Sequence, residues 1–147
     1  MSDQYQQGIS DYYGKEIQKT SDLKFACCIT KGGKQKKHTH LLSKISPEVI
    51  EKYYGCGTPI PSALEGKVVL DLGSGTGRDC FLVSALEGKN GHVIGVDMTN
   101  EQLEVANRAI SYHQKEFPDG SSIEFKKGLI EDLKAIGIND KSVDVVI

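Results

Sequence analysis

Four cysteines and one glycine-rich loop are the chemically conspicuous features of this 147-residue chain. Cys27 and Cys28 are adjacent, Cys56 sits inside Tyr53-Tyr54-Gly55-Cys56-Gly57, and Cys80 follows the loop. A thiolate is a strong nucleophile and a preferred ligand for soft, thiophilic elements. An even cysteine count suggests disulfides in a small secreted protein. Here Met1 to Gln7 is polar and lacks the basic and apolar regions of a leader, so free thiols and a cytoplasmic location are expected. Cys80 falls on the helix after the loop and reads as a packed core thiol. His38 and His40 resemble half a metal site, but no paired ligands follow at proper spacing, and no metal ion is expected.

The loop is Asp71-Leu72-Gly73-Ser74-Gly75-Thr76-Gly77. Glycines let a backbone approach a ligand without a Cβ in the way. Dinucleotide binders space them G-x-G-x-x-G and aim helix N–H groups at a pyrophosphate. In this chain the third glycine arrives one residue too early for that, and an acid precedes the first. S-adenosylmethionine (SAM) has no phosphate, carrying instead an amino-acid end, a sulfonium and an adenosine. Asp71 can take the ammonium directly or through water, and loop N–H groups can take the carboxylate. Asp97 ends the next strand, where a carboxylate accepts hydrogen bonds from ribose hydroxyls. The run Gly128-Leu129-Ile130-Glu131-Asp132 ends the third strand. There a backbone group at Ile130 and the Glu131 carboxylate can read the adenine edge, or the run is a polar loop that caps the next helix. Met98 either covers the adenine face or fills core.

The elements that must place these residues follow from periodicity. Val68-Val69-Leu70 reads as a buried parallel strand, and a helix from about Gly77 to Glu87 presents Phe81, Leu82, Ala85 and Leu86 at helical spacing. His92 to Asp97 is a second strand. Thr99-Asn100-Glu101-Gln102 reads as a capping box opening a second helix, with Gln102 reaching back to the cap. Strands from Ile123 and from Val143 to Ile147 complete a βαβαβ unit with right-handed crossovers. Upstream, Ser46-Pro47-Glu48 starts a helix expected to run to about Tyr54. Residues 1–45 read as an irregular extension with room for one helix and the Cys27-Cys28 pair, followed by a SAM-binding α/β domain over 46–147, expected to be incomplete at its carboxyl end. The run from Lys31 to His40 reads as a solvated, mobile loop.

Bulk properties narrow the partners. Net charge is −2, so no strong field draws the chain to nucleic acid or an anionic membrane. No apolar run approaches the ~18 residues of a membrane span. A monomer is expected.

The run from Asp71 to Cys80 resembles the first motif of the class I SAM-dependent methyltransferases. Three further features resemble the arsenite methyltransferases: Tyr53-Tyr54-Gly55-Cys56-Gly57 with Pro59-Ile60-Pro61, Gly77-Arg78-Asp79-Cys80, and Gly95-Val96-Asp97-Met98-Thr99. Tyr12-Tyr13-Gly14 and Asp22-Leu23-Lys24 before the cysteine pair fit as well. The resemblance implies a Rossmann-like class I methyltransferase fold, truncated after about the fourth strand, with SAM as cofactor. It implies cofactor contacts at Asp71, Gly73, Ser74, Gly75, Thr76, Gly77, Arg78, Asp97, Met98, Ile130 and Glu131. The activity implied is methyl transfer to trivalent arsenic held by thiolates. Arsenite or its thiol conjugates would be the substrate, and thioredoxin or glutathione the reductant. Cys56 matches the family cysteine directly, while the upstream relay cysteine falls on Cys27 or Cys28. The family's arsenic-binding cysteines lie beyond Ile147, so residues 1–147 alone are expected to be inactive or barely folded. Two other readings stand beside this one: a class I methyltransferase for another small acceptor, and a non-catalytic thiol protein that binds metalloids.

Overall fold

The computed structural model describes residues 3–17, 22, 38–55, 57 and 59–147. Short β-branched runs build its sheet: β1 (Val68–Leu72), β2 (His92–Asp97), β3 (Ser122–Lys127) and β4 (Val145–Val146). All pair in parallel, in the order β3-β2-β1-β4. Strand order therefore reverses at β1, which sends its connection to β2 on one side and pairs with β4 on the other. A crevice at the carboxyl ends of the strands is the usual consequence of such a reversal.

Side chains alternate across the sheet, as a two-residue period requires. Val69 and Val93 pack with Cys80 and Val83 of α4 (Arg78–Glu87). Leu70, Ile94 and Val96 face the other way, onto Leu133, Ile136 and Ile138. The latter residues surround a 3-10 turn at Leu133–Ile136 rather than a full helix. On the first face, Phe81 and Leu82 meet Val105 and Ala109 of α5 (Asn100–Glu116) and Val49 of α3 (Pro47–Glu51). Burying such aliphatic and aromatic side chains contributes roughly 1.5–3 kcal/mol each before entropy is counted.

Several local expectations need correction. The described residues before Ser46 hold more than one helix: α1 (Asp3–Asp11) runs into a π-helical turn at Tyr12–Glu16, and α2 spans Thr39–Leu42, where the sequence predicts a loop through His40. Helix α3 stops at Glu51, three residues early, because Tyr53 and Tyr54 turn away into tertiary contacts. Ser46 precedes it without a side-chain cap bond, leaving Pro47 at the first turn as the start signal. The capping box at Thr99 does not form. Gln102 Nε2 instead donates to the Tyr13 carbonyl at 2.9 Å, and the Thr99 N–H goes to Asp97 Oδ1 at 2.8 Å. The strand-end carboxylate and the amino-terminal segment outcompete the local motif. The β4 ladder is shorter than the apolar run, although Ile147 still exchanges backbone bonds with Leu70 and Leu72.

Candidate active site

Above the carboxyl ends of the strands lies a cavity of about 760 Å³. The glycine loop makes its floor. Gly73, Gly75 and Gly77 have φ of 81°, 54° and 83°, a left-handed backbone that favours glycine. At Gly77 a Cβ would also collide with the Phe125 ring, whereas at Gly73 it would meet open space. The loop thus packs tightly beneath and stays bare toward the cavity.

Internal bonds hold this shape. The N–H groups of Gly73 and Ser74 both donate to the Val96 carbonyl, at 2.8 and 3.0 Å, and the Gly77 N–H donates to the Ser74 carbonyl at 2.8 Å. The Gly75 N–H donates to Asp97 Oδ2 at 2.8 Å. Asp97 therefore bridges the loop and the start of α5, one oxygen to each, and retains a lone pair on each oxygen for a ligand. Loop N–H groups are expected to take a carboxylate, but those of Gly73, Ser74, Gly75 and Gly77 are already engaged within the protein. Thr76 directs its hydroxyl to the Val49 carbonyl at 3.1 Å, fastening the loop to α3.

Asp71 lies within β1, 7% exposed, and borders the cavity. Burial pushes its carboxyl up to about 6, while the Cys80 thiol, donating to Asp71 Oδ2 at 3.2 Å, pulls the other way. Cys80 is fully buried, and burial together with the neighbouring Asp71 raises its thiol well above the ordinary range. It suits a packed thiol better than a nucleophile. Asp79 also borders the cavity and is raised by burial, although its Oδ1 receives Arg78 Nη2 at 2.7 Å.

The remaining walls come from separate elements. Met98, Leu129, Ile130 and Glu131 line one side. Glu131 Oε1 accepts from Gln6 Nε2 at 2.6 Å, so α1 reaches across to the loop after β3. Ile9, Tyr13 and Tyr54 line the other side. Tyr13 and Tyr54 stack at 6.2 Å, and the Tyr54 hydroxyl donates to the Ile17 carbonyl at 3.2 Å. Of the residues expected at the cofactor, Asp71, Gly73, Ser74, Gly75, Thr76, Asp97, Met98, Ile130 and Glu131 all border the cavity. Gly77 and Arg78 do not: Gly77 is the left-handed cap of α4, and the Arg78 guanidinium turns toward Gly57 and Asp79. Gln6, Ile9, Tyr13, Tyr54, Asp79 and Gln102 escaped the sequence reading. Tyr13, Tyr54 and Asp79 stood in motifs that could have signalled them, and Gln102 stood in a capping box that signalled a different role. Cys27, Cys28 and Cys56 lie outside the described residues. Among the described residues no cluster of three metal-ligating side chains occurs, and no helix is long and apolar enough to cross a membrane.

The lining has a definite ligand chemistry. Carboxylates of Asp71, Asp79 and Asp97 border a glycine cradle, while Met98, Leu129, Ile130 and the tyrosines offer apolar surface. A molecule with a cationic end and a flat aromatic ring fits this division; a polyphosphate does not. Comparison with known proteins agrees. A methyltransferase domain family matches residues 63–147. The arsenite methyltransferase of Aquipseudomonas alcaligenes is 45% identical over 141 residues, covering 96% of this chain and 40% of that protein. The human arsenite methyltransferase is 41% identical over 144 residues, covering 97% and 38%. The chain thus spans about two-fifths of the length of these relatives. An arsenic(III) S-adenosylmethionine methyltransferase from Chlamydomonas reinhardtii, CrArsM, superposes with a TM-score of 0.70 at 44% identity, covering 74% of this chain and 36% of that one. With its parallel sheet, its reversal at β1 and its glycine cradle, the chain belongs to the methyltransferase domain family, as a homologue of the arsenite methyltransferases.

Proposed function

We propose that the cavity binds SAM and that the protein to which these residues belong methylates trivalent arsenic. The observation that carries the first half is the Asp97 bridge. One carboxylate shapes the glycine loop through Gly75 and opens α5 through Thr99, and it borders the cavity with lone pairs left for ribose hydroxyls. Asp71 is the partner for the ammonium, with Met98, Ile130 and Glu131 around the adenine. Ser74 and Thr76 shape the loop between Gly73 and Gly77.

When bound, SAM supplies an electrophilic methyl group on a sulfonium. Trivalent arsenic has a lone pair that attacks such a carbon directly, so the chain needs no general base. Its residues must instead fix the cofactor, exclude water and hold the acceptor in line. In this reading thiolates beyond Ile147 hold the arsenical, a soft ligand for a soft element, while Cys56 and one of Cys27 and Cys28 serve as the relay thiols. Transfer breaks the sulfonium–methyl bond, releases S-adenosylhomocysteine and leaves arsenic pentavalent. The relay thiols give two electrons to return it to the trivalent state and close a disulfide, which a thiol reductant such as thioredoxin or glutathione would reopen, in a cytoplasmic setting.

Calorimetric titration with SAM and with NAD+ tests the cofactor half: saturable one-to-one binding of SAM alone supports it, and preference for NAD+ would sink it. For the acceptor half, arsenite methylation by the longer protein is measured with and without Cys56→Ser. Loss of methylation with SAM binding retained is expected, whereas unaffected turnover removes Cys56 from the mechanism.

A further inference from the structure

Arg78 is charged, 6% exposed and outside the cavity lining, yet it engages three residues that border that cavity, Tyr53, Gly57 and Asp79. Its Nη2 donates to the Gly57 carbonyl at 2.7 Å. Nε and Nη2 both reach Asp79 Oδ1, at 3.0 and 2.7 Å. The guanidinium carbon lies 3.4 Å from the centre of the Tyr53 ring. The Tyr53 hydroxyl donates to the same Gly57 carbonyl, and the Gly57 N–H approaches that hydroxyl at 3.4 Å. Tyr53, Gly57 and Asp79 all border the cavity. A guanidinium is planar, stacks on an aromatic face and offers a fork of donors, which a lysine ammonium cannot reproduce. Two donors converge on one carbonyl and so pin Gly57, which lies in neither helix nor strand.

We infer that Arg78 is a positioning residue, whose guanidinium locks Tyr53 and Gly57 into the wall of the cavity without touching the ligand. The inference rests on the cavity's being the SAM site for its effect on affinity, but not for its effect on the wall. Loss of the clamp frees Gly57 and leaves Asp79 buried without its cation, so the wall opens while the sheet, anchored elsewhere, persists.

The test uses Arg78→Met, which keeps an apolar stem over the ring, Arg78→Lys, which keeps the charge, and Tyr53→Phe, which keeps the stack but not the hydroxyl. Each is measured by SAM titration and by hydrogen exchange at the Gly57 amide, with circular dichroism for the fold. The clamp predicts that both Arg78 variants bind SAM about tenfold more weakly, lysine failing to rescue, while Gly57 exchanges faster and the far-ultraviolet spectrum is retained. Tyr53→Phe should weaken binding by about threefold and also speed exchange at Gly57. Wild-type affinity and wild-type exchange in the Arg78 variants would overturn the inference. Should those variants fail to fold, Tyr53→Phe decides by the same two readings. If the parent chain binds no SAM, the cofactor assignment fails, and exchange at Gly57 still decides the clamp.

Discussion

The two ends of the sheet both bury titratable groups, but they use them in opposite ways. At the carboxyl end, Asp71, Asp79 and Asp97 open onto a cavity of about 760 Å³. At the other end, Glu87, His113, Ser84 and Ser121 form a buried polar cluster closed off from that cavity, with Glu87 bordering a separate, smaller one of about 380 Å³. Ser121 Oγ donates to Glu87 Oε2 at 2.7 Å, Ser84 Oγ donates to the Ser121 carbonyl at 2.7 Å, and His113 Nε2 meets Ser84 Oγ at 3.1 Å. The His113 ring is packed between Phe81 and Phe117. Burial pushes Glu87 up to about 7 and His113 down to about 4, so both are neutral over much of the range between. A displaced pKa therefore does not mark a binding site by itself; here the open cavity and the glycine cradle make the difference.

The closed end should show the larger effect on stability. The folded pKa of Glu87 lies above its ordinary 4.5, so its contribution is complete below about 4.5 and lost as pH rises through about 7. Glu87→Gln, which keeps the neutral geometry, should stabilise the fold at pH 8 by about 3 kcal/mol, read from urea unfolding. His113 runs the other way: its contribution is complete above 6.5 and lost as pH falls through about 4. From about 4.5 to 6.5 the two cancel in proton count, and the variant should uncover a stability that falls with falling pH. SAM affinity should not change. A SAM affinity that moved with Glu87→Gln would break the contrast between the ends.

At the open end, Asp97→Ala removes an acceptor from both the Gly75 and Thr99 N–H groups. SAM affinity should fall by about a hundredfold, measured by calorimetry. A smaller effect belongs to Asp71. A cationic ligand end needs the carboxylate, so affinity should decline as pH falls through about 6, and Asp71→Asn should flatten that dependence. Cys80→Ala removes the thiol donor and should move the midpoint upward while leaving affinity at pH 8 within about threefold. A midpoint that stays in place would separate Cys80 from Asp71.

This contrast was only half legible in the sequence. Asp71, the glycines and Asp97 are written in one local pattern, strand, loop, helix, strand, and the structure assembles them as that pattern implies. Glu87 and His113 sit on different helices, and only tertiary packing brings them to Ser84 and Ser121. The roof of the cavity was hidden for the same reason. Gln6, Ile9 and Tyr13 reach it from a segment far away in sequence, through Glu131 and Gln102. Gln102 shows how a local rule is overridden, since its capping position is real but its side chain serves the long-range contact. Arg78 shows the converse, a residue inside a cofactor motif whose side chain serves the wall.

Amide NMR during a SAM titration tests the central assignment most directly. Resonances of Gly73, Gly75, Asp97 and Thr99 should shift saturably while those of Ser84, Glu87, His113 and Ser121 stay in place. Absence of saturable shifts at the loop, or larger shifts at the closed cluster, would contradict it.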